Sequence, residues 1–103
     1  MLSFPQMIAD GGTHGSVGGG LFVHADVTKS DQVAAAVAEV VSKFGGVDIL
    51  HNNAGIQHYG SVTETTEEEW DQVLAINLKS MFLMSKAAIP EMIARGGGVI
   101  VNT

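Results

Sequence analysis

Apolar residues along the chain fall into short continuous runs and into stripes with helical spacing. The runs at 21–27, 47–50 and 99–103 are bounded by glycine or by polar turn residues, which is typical of buried strands. Over 31–44 and 67–95 the apolar residues recur every three or four positions, as one face of a helix requires. The pattern therefore predicts the order strand, helix, strand, helix, strand.

The first predicted helix has a start and a stop signal. Thr28, Lys29, Ser30 and Asp31 have capping-box character, in which side chains bind the free backbone groups of the first turn. The apolar stripe that follows stops at two consecutive glycines, 45 and 46. We expect this helix to span residues 31–44.

The second predicted helix is longer, at about 25 residues, and is apolar on more than one face. It starts at the capping box Thr66-Glu67-Glu68-Glu69, where three acids lie at the positive end of the helix dipole. Pro90 has no backbone donor, so we expect it to bend or interrupt the helix near Lys86. Arg95, followed by three glycines, is a good helix end.

The alternation of strands and helices predicts an α/β fold with a parallel sheet and right-handed crossovers. At 103 residues, of which 46% are hydrophobic, the chain forms one domain at most. We expect that domain to occupy residues 21–103, after an irregular glycine-rich lead over residues 1–20.

Charge and composition argue against several classes of protein. The net charge is -6, and the five Lys and Arg residues are scattered, which disfavours a nucleic-acid surface. The chain has no cysteine, and its four histidines lack metal-ligand spacing, so we expect neither a disulfide nor a metal site. We find no signal peptide and expect no membrane span, and therefore expect a cytoplasmic protein.

Polar residues lie at the ends of the predicted strands and inside the long helix. Asp26-Val27 ends the first strand, Asn52-Asn53-Ala54-Gly55 follows the second, and Asn77-Leu78 lies inside the long helix. With Val99-Ile100-Val101-Asn102 beyond that helix, the chain resembles the middle of a short-chain dehydrogenase/reductase over about residues 19–103. The resemblance is specific because four independent signals occur in the family's order.

The resemblance implies a cofactor site. The Asp26 carboxylate would accept a hydrogen bond from adenine, and the Val27 amide would donate one to the ring. The alternative is that Asp26 only caps the following turn. The asparagine amides, including Asn53, would tie strands together, while Ala54 and Gly55 would let the cofactor ribose approach the backbone.

Two further positions bear on the site. In the family His51 is usually aliphatic, and we interpret this histidine as a hydrogen-bonded structural residue. Asn77 corresponds to the helix asparagine of the family's Asn-Ser-Tyr-Lys tetrad, whose backbone carbonyl holds a water in a proton relay. The other three members are expected beyond Thr103, because Tyr59 has Thr63 rather than lysine four residues later.

The resemblance also implies which part of the fold is present. The fold class is a partial Rossmann-like, doubly wound parallel sheet of three strands and two helices, without the family's first two strands. The cluster at 11–17 lacks the last glycine of a phosphate-binding turn, and we interpret it as a flexible lead. The first strand would lie roughly 14 Å from the second, too far for hydrogen bonds between them, so we expect a marginally folded fragment.

The function implied is hydride transfer between the nicotinamide of NAD or NADP and a carbonyl or alcohol substrate. We expect the 103-residue chain itself to be inactive, and its sequence distinguishes neither NAD from NADP nor one substrate from another. The alternative is a non-catalytic remnant that associates, as a homo-oligomer or with another protein, through the long helix 67–95. A phosphoacceptor domain built on Asp26 is disfavoured, because no acidic pair follows an earlier strand.

Overall fold

A computed structural model describes residues 2–3, 15–17 and 20–103 of the chain. The strands in this part are β1 (Leu2–Ser3), β2 (Gly15–Val17), β3 (Gly20–Phe22), β4 (Ile49–Asn52) and β5 (Val99–Asn102). The α-helices are α1 (Ser30–Phe44), α2 (Glu67–Leu74) and α3 (Ser80–Ala94), and a π-helical segment, Ala75–Lys79, joins the last two.

The central sheet is parallel and has the strand order β1-β4-β5. Its register places Ile49 opposite Val99 and Asn52 opposite Asn102. A separate antiparallel pair is formed by β2 and β3. Helices cross between β3 and β4 and between β4 and β5, so the predicted α/β class is confirmed.

The strand predicted over residues 21–27 is shorter than expected. It comprises only Gly20–Phe22, and within the described residues it pairs with β2 rather than with the central sheet. Val23, Ala25 and Val27 are nevertheless buried, whereas His24 is exposed, so the alternation of an extended strand continues through this segment. Among the described residues, the segment at 23–27 has the side-chain pattern of a strand but belongs to neither sheet.

The lead over residues 1–20 lies mostly outside the described residues, and so does the greater part of the glycine cluster at 11–17. The described parts of this lead are in strands rather than irregular, because Leu2–Ser3 pairs with β4 and Gly15–Val17 pairs with β3.

The start of α1 differs from the prediction. The helix begins at Ser30, and its N-cap, Lys29, makes no side-chain capping bond, so no capping box forms. Thr28 lies one residue before this N-cap, and its hydroxyl donates to Asp26 Oδ1 at 2.7 Å. The predicted stop is confirmed: Gly45 has φ of 86°, and its amide donates to the Val41 carbonyl.

The long helix starts as predicted but is not interrupted where predicted. Thr66 Oγ1 accepts from the Glu69 amide, and the Glu69 carboxylate accepts from the Thr66 amide, which completes the capping box. The helix then runs unbroken through Pro90, because that residue removes only one backbone bond in the penultimate turn before Ala94. The α-helical pattern changes instead at the π segment, which contains Asn77.

The core lies on one side of the sheet. Helix α1 packs against α3, and α3 packs against β4. The fully buried side chains with the largest volumes are Leu50, Met84, Val23, Val27 and Val33. The opposite face is open, because Ile49, Val99 and Val101 are exposed.

Gly98 connects α3 to β5 at a point where no side chain fits. A Cβ at this position would lie 2.8 Å from the Asp48 carbonyl oxygen and 2.8 Å from Met92 Cγ. Nearby, Arg95 forms an ion pair with Asp48 at 3.2 Å and donates to the Phe44 carbonyl. These contacts join the ends of α1 and α3 to the start of β4.

A stripe of apolar side chains on the long helix is exposed: Trp70, Leu74, Leu78, Phe82, Ile89 and Ile93. The expectation that no stretch approaches a membrane span is corrected here, because Glu67–Ala94 is long and apolar enough by length and composition. Core helices of soluble proteins meet the same test, so the result does not assign a membrane span.

Candidate functional site

The turn after β4 leaves the sheet at its carboxyl edge, the edge at which open α/β sheets bind ligands. Asn52 is 6% exposed, and its Nδ2 donates to Asn102 Oδ1 at 2.9 Å. The Asn52 carbonyl accepts from the Thr103 amide at 3.0 Å. The predicted tie between neighbouring strands is therefore present, and it fixes the start of the turn.

Asn77 fixes the other end of the turn. Its Oδ1 accepts from the Ile56 amide at 2.8 Å, and its Nδ2 donates to the Ile56 carbonyl at 2.9 Å. The asparagine side chain thus pairs with the N–H and the C=O of one residue, as a neighbouring strand would. It does so from the π segment, a helical irregularity that is frequent at functional sites.

A cleft of about 520 Å³ lies between the turn and the helix. Ala54 has a small side chain and Gly55 has none, so the turn backbone is accessible from the cleft. A Cβ at Gly55 would have Asn77 Oδ1 at 3.5 Å as its nearest neighbour, which is an ordinary contact. The cleft is lined by four predicted site residues, Asn53, Ala54, Gly55 and Asn77, together with Ile56, Gln57 and Thr103.

Asp26 and Val27 are not among the residues that line this cleft. Asp26 Oδ1 accepts from the Thr28 hydroxyl at 2.7 Å and from the Thr28 amide at 2.9 Å, and these bonds lower the pKa of the Asp26 carboxyl. Asp26 thus caps the turn, which was the alternative to a role in adenine binding. The cap uses only Oδ1 and leaves Oδ2 outside the Thr28 contact. The side chain of Val27 is buried in the core.

Three residues of the cleft were not predicted from the sequence. Ile56 and Gln57 follow the recognised turn directly, and their proximity to Gly55 is the only signal that identifies them. Thr103 enters the cleft because β5 pairs in register with β4. His51, predicted to be hydrogen-bonded, lies 2.8 Å from Thr103, measured between Nε2 and Oγ1.

A second groove, of about 530 Å³, lies away from the turn, between the loop after Gln57 and the start of α2. Trp70, Val73 and Leu74 form its apolar wall. At its edge, His58 Nε2 lies 3.3 Å from both Glu69 Oε2 and Thr65 Oγ1. No group of three or more metal-ligating side chains occurs among residues 2–3, 15–17 and 20–103.

Comparison with known protein families places this site in context. The family model for short chain dehydrogenases matches residues 13–103, which is most of the chain. The chain belongs to the short-chain dehydrogenase family. The sequence resemblance is thereby confirmed.

Members of the short-chain dehydrogenase family cover the same part of the chain. An uncharacterized oxidoreductase from Thermotoga maritima is 48% identical over 89 residues, which are 84% of this chain and 34% of that protein. D-beta-hydroxybutyrate dehydrogenase from Rhizobium meliloti is 44% identical over 78 residues, or 76% of this chain and 30% of the other. The chain therefore spans about a third of the length of these relatives.

A solved structure shows the same partial fold. The ligand-free aldohexose dehydrogenase of Thermoplasma acidophilum matches with a TM-score of 0.75 and 38% identity, over 78% of this chain and 31% of that one. The chain thus has part of the Rossmann-like α/β fold of the short-chain dehydrogenases.

Proposed function

We propose that this chain is part of an NAD(P)-dependent oxidoreductase that transfers hydride between nicotinamide and a carbonyl or alcohol substrate. The observation that carries the proposal is the cleft at the carboxyl edge of β4 and β5, where Asn53, Ala54, Gly55 and Asn77 meet. Family membership supports it, because the relatives described above are oxidoreductases. The cytoplasm is the location that we propose for the protein.

The residues of the cleft fit a dinucleotide. Ala54 and Gly55 present little side-chain volume, so a ribose has access to the turn backbone. Asn53 is exposed beside them and is available to a ligand. We assign Asn53, Ala54 and Gly55 to the ribose and nicotinamide side of NAD or NADP.

The adenine side is assigned to Asp26 and Val27. Asp26 keeps one carboxylate oxygen outside its contact with Thr28, which is the acceptor that an adenine amino group needs. The fit is looser here than at the cleft, because the hydrogen bonds of Asp26 within the described residues are local, from Thr28 and to Gln32.

Asn77 is the catalytic residue that we propose within this chain. Its side chain is occupied by Ile56, so its contribution to a proton relay must come from its backbone carbonyl, as the family resemblance implies. The rest of the tetrad has no counterpart here. The hydroxyl of Tyr59 donates to Gln57, and the side chain of Tyr59 is 85% exposed. We therefore expect the 103-residue polypeptide alone to bind cofactor weakly and to show no turnover.

Titration of the 103-residue chain with NADH and with NADPH, followed by NMR, tests this assignment. We expect the amide signals of Asn53–Gly55 and Val27 to shift on binding, and Gly55→Val to abolish the shift by filling the cleft. Val62→Ala is the matched control, because Val62 is 94% exposed and outside the cleft. Unchanged signals at millimolar cofactor would contradict the assignment, and nicotinamide-dependent turnover would contradict the proposed inactivity.

A second candidate function is helix-mediated association without catalysis. Trp70, Leu74, Leu78 and Phe82 repeat every four residues along the exposed stripe of the long helix, a spacing that presents one apolar face to a partner. A second copy of the chain would bury this face. Sedimentation over a concentration series distinguishes the candidates: association that Phe82→Glu abolishes, without cofactor binding, favours the second.

A further inference from the structure

The ends of β4 and β5 are connected on both faces of the sheet. On the buried face Asn52 donates to Asn102, and on the open face His51 Nε2 lies 2.8 Å from Thr103 Oγ1. The backbone bond from the Thr103 amide to the Asn52 carbonyl lies between these two contacts. Thr103 is therefore held by a backbone bond and by a side-chain bond that starts one residue earlier in β4.

A histidine is suited to this contact and an aliphatic residue is not. The register places His51 opposite Val101, so its side chain must reach two residues further along the neighbouring strand. An imidazole has the length and a polar ring atom at its far end, whereas valine or leucine has no polar atom. This position is usually aliphatic in the family pattern that the sequence resembles, and an aliphatic side chain could not make the contact.

The contact reaches the candidate site. Thr103 lines the cleft together with Asn53, Gly55 and Asn77. His51 itself is half-buried on the open face and does not line the cleft, so any effect on a ligand passes through Thr103.

We propose that His51 is a positioning residue that holds Thr103 against the rim of the cofactor cleft. The ring nitrogen either donates to the threonine hydroxyl or accepts from it, depending on the tautomer. The role in cofactor binding rests on the proposed function, whereas the coupling between His51 and Thr103 does not.

A double-mutant cycle on the full 103-residue chain tests the coupling. The variants are His51→Val, Thr103→Val and the double variant. The measured quantity is the hydrogen exchange rate of the backbone amide of residue 103, followed by NMR. We expect each single variant to accelerate exchange about fivefold, the equivalent of one typical hydrogen bond, and the double variant to add nothing further. His58→Val is the control, because His58 lies at the other groove, and it should leave this exchange unchanged.

Two further measurements separate positioning from general support of the fold. His51→Gln retains a polar side chain and should restore part of the protection of the residue-103 amide against exchange. The chemical shift of the His51 ring nitrogen should stay the same in Thr103→Ser and change in Thr103→Val. Independent, additive effects, or a His51 signal insensitive to Thr103→Val, would overturn the proposal. If His51→Val does not fold, the two Thr103 variants still decide the question through the His51 signal.

NADH titration of the same variants separates this proposal from the proposed function. Coupling between His51 and Thr103 without NADH binding in the unmodified chain means that the cofactor assignment fails and the contact stands. NADH binding that is the same in the unmodified chain, His51→Val and Thr103→Val means that the cofactor assignment stands and the positioning role fails.

Discussion

The turn after β4 and the segment around Asp26 belong to the same proposed cofactor site, but they are held in different ways. At the turn, side-chain hydrogen bonds join residues that are 21, 50 and 52 positions apart. Around Asp26, the side-chain bonds join residues only two and six positions apart: the Asp26 carboxylate accepts from Thr28, and the Asp26 amide donates to Gln32 Oε1. The first region is cross-linked through the fold, whereas the second is held to its own neighbours.

The difference shows what a parallel sheet contributes to a site. Local bonds give the Asp26 turn its shape but do not set its distance from the turn after β4. That distance depends on the burial of Val23, Ala25 and Val27 beside α1 and α3. The nicotinamide side of the proposed site is therefore preformed, whereas the position of the adenine side depends on apolar packing within the described residues.

The largest expected effect comes from Gly98→Ala, which disturbs the preformed region at its base. The added Cβ would overlap the Asp48 carbonyl oxygen and Met92, so α3 must move away from β4. We expect a loss of about 1–3 kcal/mol in the free energy of unfolding, the usual cost of overpacking. Urea denaturation measures it. Gly55→Ala is the control, since its Cβ would make only an ordinary contact, and an equal loss in both variants would contradict the prediction.

A smaller effect is expected for Asn52→Ala. The substitution removes the bond to Asn102 from a site that is almost fully buried, and it leaves a small cavity. We expect a loss of about 1–2 kcal/mol, because a buried hydrogen bond and part of its packing are lost together. Asn53→Ala changes the same residue type one position later, where the side chain is exposed, and should unfold at the same urea concentration as the unmodified chain. If both variants lose stability alike, the cross-strand bond is not what stabilises this edge.

Asn77→Ala should separate local order from global stability. The substitution releases both polar groups of Ile56, which accelerates hydrogen exchange at that amide about 25-fold if two bonds of ordinary strength are lost. The overall stability should change by less than about 1 kcal/mol, because alanine is a better helix former than asparagine. Gln72→Ala, on the same helix and exposed, is the control for the helix propensity. Unchanged exchange at Ile56 would show that the asparagine does not hold the turn.

The parts of the fold that the sequence predicted are those specified by local chemistry. The capping box at Thr66 and Glu69 and the glycine cap at Gly45 form as their residue types require. The capping box at Thr28 did not form because the helix begins at Ser30, which makes Lys29 rather than Thr28 the N-cap. A local capping pattern therefore predicts the cap only where the helix begins at the residue that follows it.

The parts that the sequence did not predict depend on contacts between distant residues. The α-helical pattern changes at the π segment around Asn77 and not near Lys86, where Pro90 was expected to interrupt it. No residue type in the helix predicts this π segment. Thr103 enters the cleft only through the register of β5 on β4, which the spacing alone leaves undetermined. The turn residues Asn53, Ala54 and Gly55 were identified because a family pattern, rather than periodicity, marks them.

The smallest expected effect concerns pH and tests the weakly held region. Hydrogen bonds from the Thr28 hydroxyl and amide lower the pKa of Asp26 below its ordinary value of 3.8. A carboxyl with a lowered pKa in the folded state stabilises that state fully above the unfolded pKa, and this contribution is lost as the pH falls through the folded pKa. The Thr28 amide signal should therefore move only below about pH 4, at a lower pH than a free aspartate would give.

Asp26→Asn keeps the oxygen acceptor but removes the charge, so it should retain the turn and lose the pH response at Thr28. Because these bonds are local, acidification should leave the amides of Asn53–Gly55 unchanged over the same pH range. A simultaneous response in both regions would show that the Asp26 segment is coupled to the turn after β4, contrary to the independence inferred from their hydrogen bonds.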